Sequence, residues 1–260
     1  MTRPGSYALV TGASTGLGKF FARALAARKQ NLILVARTQA KLDALADELR
    51  AAHDVTVAPL SFDLVVPRAG QQLAAQLRAR ELAVELLVNN AGFGLRGKFW
   101  TLPLAGQLEM LNLHNAAVVE LTYELLPPML AARSGGIVNV SSLAGFQPIP
   151  FAALYSATKA FLTTFSMALR EELRPTGVKV VTLCPGRLRA DPETAGDETK
   201  RQKVPGGEQG HAEVVKEALA KLESGGGLVI PGRMNRWMMR GQRLIPPNAV
   251  PKIVARMSKS

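Results

Sequence analysis

The chain of 260 residues is nearly devoid of cysteine: Cys184 is its single thiol, so no intrachain disulfide can form. That excludes a disulfide-stapled secreted scaffold and fits a reducing, cytoplasmic setting. Cys184 follows the apolar run Val178–Leu183 and reads as core, not as a nucleophile. Metal chemistry lacks material too, because His53, His114 and His211 show no ligand spacing. The start, Met-Thr-Arg-Pro-Gly-Ser, lacks the apolar stretch of a signal peptide, and no apolar run reaches membrane-spanning length. Acid disappears toward the end. From Gly225 onward there is no Asp or Glu, but there are Arg233, Arg236, Arg240, Arg243, Lys252, Arg256 and Lys259. These carry more than half of a net charge of +12 at pH 7. Such a balance points to anionic partners: a phosphorylated cofactor, acyl-CoA or acidic lipid. Nucleic acid is set aside, since no recognition motif accompanies the charge.

What is present is alternation. Apolar strand patterns at 7–11, 32–36, 55–62, 84–89, 137–140, 178–183 and 228–230 take turns with helical patterns. The helices are expected at 19–28, 39–52, about 68–80 and 104–132, with one more after Phe151. Pro127 and Pro128 should bend or break the long one. This order predicts an α/β fold, a parallel sheet with helices on both faces. No repeat or linker divides the chain, which reads as a single domain over 1–260. Residues 186–209 are a polar loop, expected to be mobile when empty and to serve as a lid. Residues 233–260 form a basic tail with Trp237, Met238 and Met239 interleaved.

Between the first strand and helix lies Gly12-Ala-Ser14-Thr15-Gly16-Leu17-Gly18. Glycines there let backbone approach a pyrophosphate, and the helix N-terminus offers N–H groups and positive potential. Ser14 and Thr15 can add hydrogen bonds. The second strand ends Ala36-Arg37 where an acid would hold free ribose hydroxyls. A guanidinium suits a 2′-phosphate instead, so NADP(H) is preferred over NAD(H). Asp63, with Leu64 beside it, follows the third strand and can accept from an adenine amino group; a plain turn is the rival. Asn89-Asn90-Ala91-Gly92 closes the fourth strand with small residues that would lie against the cofactor.

Tyr155 and Lys159 sit four apart on one helix face. An ammonium beside a phenol favours the phenolate, and Ser142 at the end of the fifth strand can bond the same substrate oxygen. Together they can protonate a carbonyl oxygen as hydride reaches its carbon. Asn112 is a poor helix former inside a helix and is expected to open a carbonyl toward a proton relay to Lys159. His114 and Asn115 are assigned no chemical role.

Taken together, Thr11 to Gly18, Asp63, Asn89 to Gly92, Asn112, Ser142, Tyr155-Ser-Ala-Thr-Lys159 and Pro185-Gly186 resemble the short-chain dehydrogenases/reductases. The resemblance covers residues 6 to about 186 and more weakly to about 231. It implies a Rossmann-type, doubly wound, seven-stranded parallel sheet. It also implies roles: Tyr155 as acid/base, Lys159 lowering its pKa and holding the nicotinamide ribose, Ser142 orienting the carbonyl, Asn112 holding a relay water. Pro185 and Gly186 would join the cofactor contacts, and assembly would be a homodimer or homotetramer through the long helices. One departure stands out: the family's threonine shortly after Pro-Gly is absent, and the first threonine is Thr194.

The expectation is therefore an NADP(H)-dependent oxidoreductase acting on a small-molecule carbonyl or alcohol of largely apolar character. Phe93, Phe146, Pro148 and Ile149 fall in loops expected to line its pocket. Two rivals stay open. One is a non-catalytic NADP(H)-binding sensor or scaffold. The other is a reductase peripheral to a membrane, held there by the basic tail and acting on lipid or acyl substrates.

Overall fold

In the computed structural model, which describes residues 5–189, 207–242, 246 and 249–257, seven strands share one sheet. They are β1 (Tyr7–Thr11), β2 (Asn31–Ala36), β3 (Val57–Ser61), β4 (Val84–Asn89), β5 (Gly135–Val140), β6 (Val178–Leu183) and β7 (Gly227–Val229). All pairings are parallel, in the order β3-β2-β1-β4-β5-β6-β7. The described helices are α1 (Gly16–Ala26), α2 (Gln39–His53), α3 (Ala69–Ala79), α4 (Leu104–Leu111), α5 (Ala117–Ala131), α6 (Ala153–Leu173), α7 (His211–Glu223), α8 (Arg233–Gln242) and α9 (Val250–Met257).

Strand side chains alternate between faces, and here both faces are apolar. Ala8 and Val10 of β1 join one core with Phe21 of α1, Leu42 and Leu49 of α2, and Leu219 of α7. Leu9, between them, joins the other with Leu73 and Leu77 of α3 and Leu121 and Leu125 of α5. Removing the ring of fully buried Phe21 should cost about 3–5 kcal/mol.

After β3 the chain returns to place β4 on the other side of β1. The loops leaving β1 and β4 therefore diverge, and a crevice opens at the carboxyl ends of these strands. This is the Rossmann-type sheet expected from the alternation and from the resemblance.

The expected helix at 104–132 is interrupted, but not at its prolines. A π-turn, Asn112–Ala116, separates α4 from α5, and Pro127 and Pro128 lie within α5. Each proline deprives the carbonyl four residues back of its donor, here those of Tyr123 and Glu124. Tyr123 is 76% exposed, so water can serve that turn. The π-turn is closed by Ala117 N–H donating to the Asn112 carbonyl, five residues back. Most of the loop expected at 186–209 falls outside the described residues, as do Thr194 and, in the tail, Arg243 and Lys259. The described ends of that loop meet in a bridge between Leu188 and Gln209, with Arg189 N donating to the Gln209 carbonyl at 3.0 Å.

Candidate active site

The crevice is built first from backbone. Thr11, the last residue of β1, donates its hydroxyl to the Val88 carbonyl at 3.2 Å. The same oxygen accepts from the N–H groups of Asn90 at 2.9 Å and Ala91 at 3.0 Å. Asn90 Nδ2 returns a bond to the Thr11 carbonyl at 2.8 Å and a longer one to the Gly12 carbonyl at 3.3 Å. Asn90 thus commits its side chain to fastening the glycine loop. Two glycines are required by this closeness. Gly12 has φ +64°, and a Cβ on it would stand 2.8 Å from Ala91 Cα. A Cβ on Gly18 would stand 2.1 Å from the Gly12 carbonyl oxygen. Thr15 supplies no side-chain cap to α1, and Thr15, Gly16 and Leu17 line the crevice, so the positive end of α1 faces it.

Two cavities meet across Gly12, Thr15 and the Ala91-Gly92-Phe93 backbone, one of about 470 Å³ and one of about 290 Å³. The smaller lobe is bordered by Ser14, Arg37, Lys41, Asp63 and Leu64. Neither Arg37 nor Lys41 has an ion-pair partner among the described residues, and no carboxylate closes β2. Two such cations could hold a phosphate carried on a ribose. Asp63 uses Oδ1 to accept from Val65 N–H at 3.1 Å, in a turn, and lines this smaller lobe.

The larger lobe gathers Ser142, Tyr155 and Lys159, together with Pro185 and Gly186. Ser142 stands just past β5 in extended backbone, and its Oγ accepts from Ala144 N–H at 3.1 Å. Lys159 is 5% exposed; its Nζ donates to the Val140 carbonyl at 3.0 Å and lies 5.9 Å from the centre of the Tyr155 ring. Burial holds the Lys159 ammonium down at about 8. Burial pushes the Tyr155 phenol above its ordinary value, opposed by its hydrogen bond with Ser142. A neutral phenol lining the lobe is in the right state to donate a proton. Cys184 is inert core, its thiol pushed up to about 11 by burial.

Asn112 opens the π-turn and is not among the residues lining either lobe; its carbonyl is engaged by Ala117. His114, given no role from the sequence, lines the larger lobe instead. Lys41, just inside the helix after Arg37, also borders the smaller lobe, a cation at the same end of the strand that the sequence does not single out. Of the apolar residues expected around substrate, Phe93 borders the crevice; Phe146, Pro148 and Ile149 do not, and Leu188 does. Among the described residues no group of three or more His, Cys, Asp or Glu could hold a metal, and no helix is long and apolar enough to cross a membrane.

The profile of the family described as short chain dehydrogenase matches residues 6–201. The chain is 36% identical over 208 residues to the ketoacyl reductase HetN of Nostoc sp., a match covering 79% of this chain and 71% of that protein. It is 37% identical over 180 residues to a very-long-chain 3-oxoacyl-CoA reductase of Phaeosphaeria nodorum; this covers 68% of the chain but 53%, about half, of that relative. Among solved structures, a short-chain dehydrogenase from Sphingobium yanoikuyae in complex with NADPH aligns with a TM-score of 0.80 at 32% identity, over 92% of this chain and 93% of that one. Sheet order, glycine-floored crevice and sequence similarity agree: the chain belongs to the short chain dehydrogenase family.

Proposed function

We propose that this protein is an NADP(H)-dependent reductase of 3-oxoacyl thioesters or similar carbonyl compounds with a largely apolar body. The observation that carries this reading is the meeting of two lobes. Tyr155, Ser142 and Lys159 converge at one end of a glycine-floored crevice, and Arg37 and Lys41, without ion-pair partners among the described residues, stand at the other. The cradle around Gly12, which a single Cβ would fill, fits the flat backbone approach a dinucleotide needs. When bound, NADPH supplies hydride to the carbonyl carbon. Tyr155 gives its proton to the carbonyl oxygen, and Ser142 donates a hydrogen bond to the same atom. Lys159 holds positive charge behind the phenol, which lowers the cost of the phenolate left after transfer. Phe93 and Leu188 supply apolar wall, and the names borne by the Nostoc and Phaeosphaeria relatives favour an acyl chain.

NADPH oxidation followed over 3-oxoacyl thioesters of rising chain length and simple ketones tests the reading. Turnover that improves with chain length supports it. Purified protein that binds NADPH and turns over none of them supports the sensor reading instead. Assembly is part of the proposal: α4, α5 and α6 expose Leu104, Leu108, Tyr123, Phe161 and Met167, which a second copy of the chain would cover.

A second reading rests on α8. Met234 is 61% and Trp237 74% exposed, beside Arg233, Arg236 and Arg240. A basic helix with exposed aromatic and thioether groups suits the surface of an anionic membrane. Sedimentation with anionic vesicles, with and without residues 233–260, tests it; equal binding by both forms dismisses the tail.

A further inference from the structure

We propose that His114 is a positioning residue for Tyr155: it ties the helix that bears the phenol to the Gly92-Phe93-Gly94 backbone and so fixes the phenol's place in the crevice. The inference rests on the reading of Tyr155 as proton donor. His114 is 1% exposed and uses both ring nitrogens. Nε2 accepts from Phe93 N–H at 3.2 Å. Nδ1 lies 2.9 Å from Thr158 Oγ1, whose own proton goes to the Tyr155 carbonyl at 2.8 Å. That assignment leaves one tautomer: neutral, with hydrogen on Nδ1. Burial and the nearby Lys159 ammonium push the ring's pKa down to about 3, in keeping with that neutral form.

The contacts surround the phenol ring. His114 meets it edge-on, with centroids 5.8 Å apart and planes at 73°. Gly94 lies against another side, where a Cβ would be 3.6 Å from Tyr155 Cδ2. Gly92 is small because a Cβ there would stand 2.8 Å from His114 Nε2. Loop, imidazole and phenol are thus packed in series. The imidazole takes no proton from the phenol, since both its nitrogens are engaged; what it governs is location. Displacing a reacting group by about an ångström costs up to about a hundredfold in rate.

The π-turn explains how the residue arrives there. One extra residue in a turn rotates the rest of the helix by about 100° relative to a regular one. The turn over Asn112–Ala116 places buried His114 and Asn115 toward α6, where Asn115 Nδ2 donates to the Thr158 carbonyl at 3.1 Å.

The test compares His114→Leu, His114→Gln and Thr158→Val with the native protein. Readouts are kcat, the NADPH dissociation constant, and the phenol titration of Tyr155, taken as the ultraviolet difference from Tyr155→Phe without cofactor. His114→Leu is expected to lower kcat about 10- to 100-fold, to leave NADPH affinity within about twofold, and to shift the Tyr155 titration. His114→Gln keeps an acceptor for Phe93 N–H and should recover to within about fivefold of native. Thr158→Val should lower kcat about three- to tenfold, and combined with His114→Leu it should add nothing further. Native kcat in His114→Leu overturns the proposal. So do a glutamine variant as impaired as leucine, and effects of His114→Leu and Thr158→Val that multiply. If His114→Leu does not fold, the glutamine and Thr158→Val variants decide by the same criteria. Full turnover by Tyr155→Phe would instead sink the underlying reading, whereas the phenol titration of the His114 variants reads the contact without any turnover.

Discussion

Lys159 keeps an ammonium that is almost wholly buried, and that has a sign. Its folded pKa of about 8 lies below the value of 10.5 for a free lysine. Between those two values the unfolded chain binds the extra proton, so stability rises with pH across this window. The penalty is fully present below about pH 8 and gone above the unfolded value; it amounts to about 3 kcal/mol. Lys159→Met should therefore stabilise the protein at neutral pH by about 1–2 kcal/mol, the lost bond to Val140 offsetting part of the gain, while abolishing turnover. Denaturant unfolding at neutral and strongly alkaline pH checks this: the gap between variant and native should close as pH rises. In catalysis the same ionisation should appear as a fall in reductive kcat/KM above about pH 8. At the far lobe, Arg37→Asp should turn preference toward NADH by about tenfold or more, read as the ratio of kcat/KM for the two cofactors. Tyr155, Lys159 and Ser142 are legible in the sequence because helical spacing and a strand end agree with the glycine loop and with the family resemblance. His114 is not, because a π-turn breaks the period on which any face assignment depends. Lys41 escapes notice because its nearness to Arg37 is set by how α2 leaves β2.

Among elements, the glycine loop is the least forgiving. Gly18→Ala would drive a methyl into the Gly12 carbonyl and within 2.7 Å of Asn90 Nδ2, so loop and β4 terminus must part. The expected cost is about 2–4 kcal/mol in unfolding free energy, with weakened NADPH binding by fluorescence titration. The seven strands are legible from their apolar runs, since both faces of a covered parallel sheet select Val, Ile and Leu. Their ends are less so: β3 starts at Val57 and not at residue 55, after α2 stops at a left-handed Asp54 with φ 49°. The prolines of α5 do not break it, and the exposure of Tyr123 lets water serve a carbonyl that loses its donor there.

At the scale of the whole molecule, large apolar side chains are exposed on α4, α5 and α6 and, among arginines, on α8. The apolar exposure on α4, α5 and α6 is expected to be covered by a second copy, and Phe161→Glu, at a side chain 45% exposed, should shift light-scattering mass toward the monomer while α8 and its arginines stay solvent-facing. A native protein already monomeric would remove that expectation. The pairing of Thr11 with Asn90, 79 residues apart, has a consequence for synthesis. A nascent chain that has delivered only its first two βα units to the tunnel exit holds its glycine loop to β2, through Ala13 N–H on the Val35 carbonyl, but not yet to Asn90. Nucleotide is expected to stabilise such an intermediate little, because the Ala91-Gly92-Phe93 side of the surface that would receive it is still being translated.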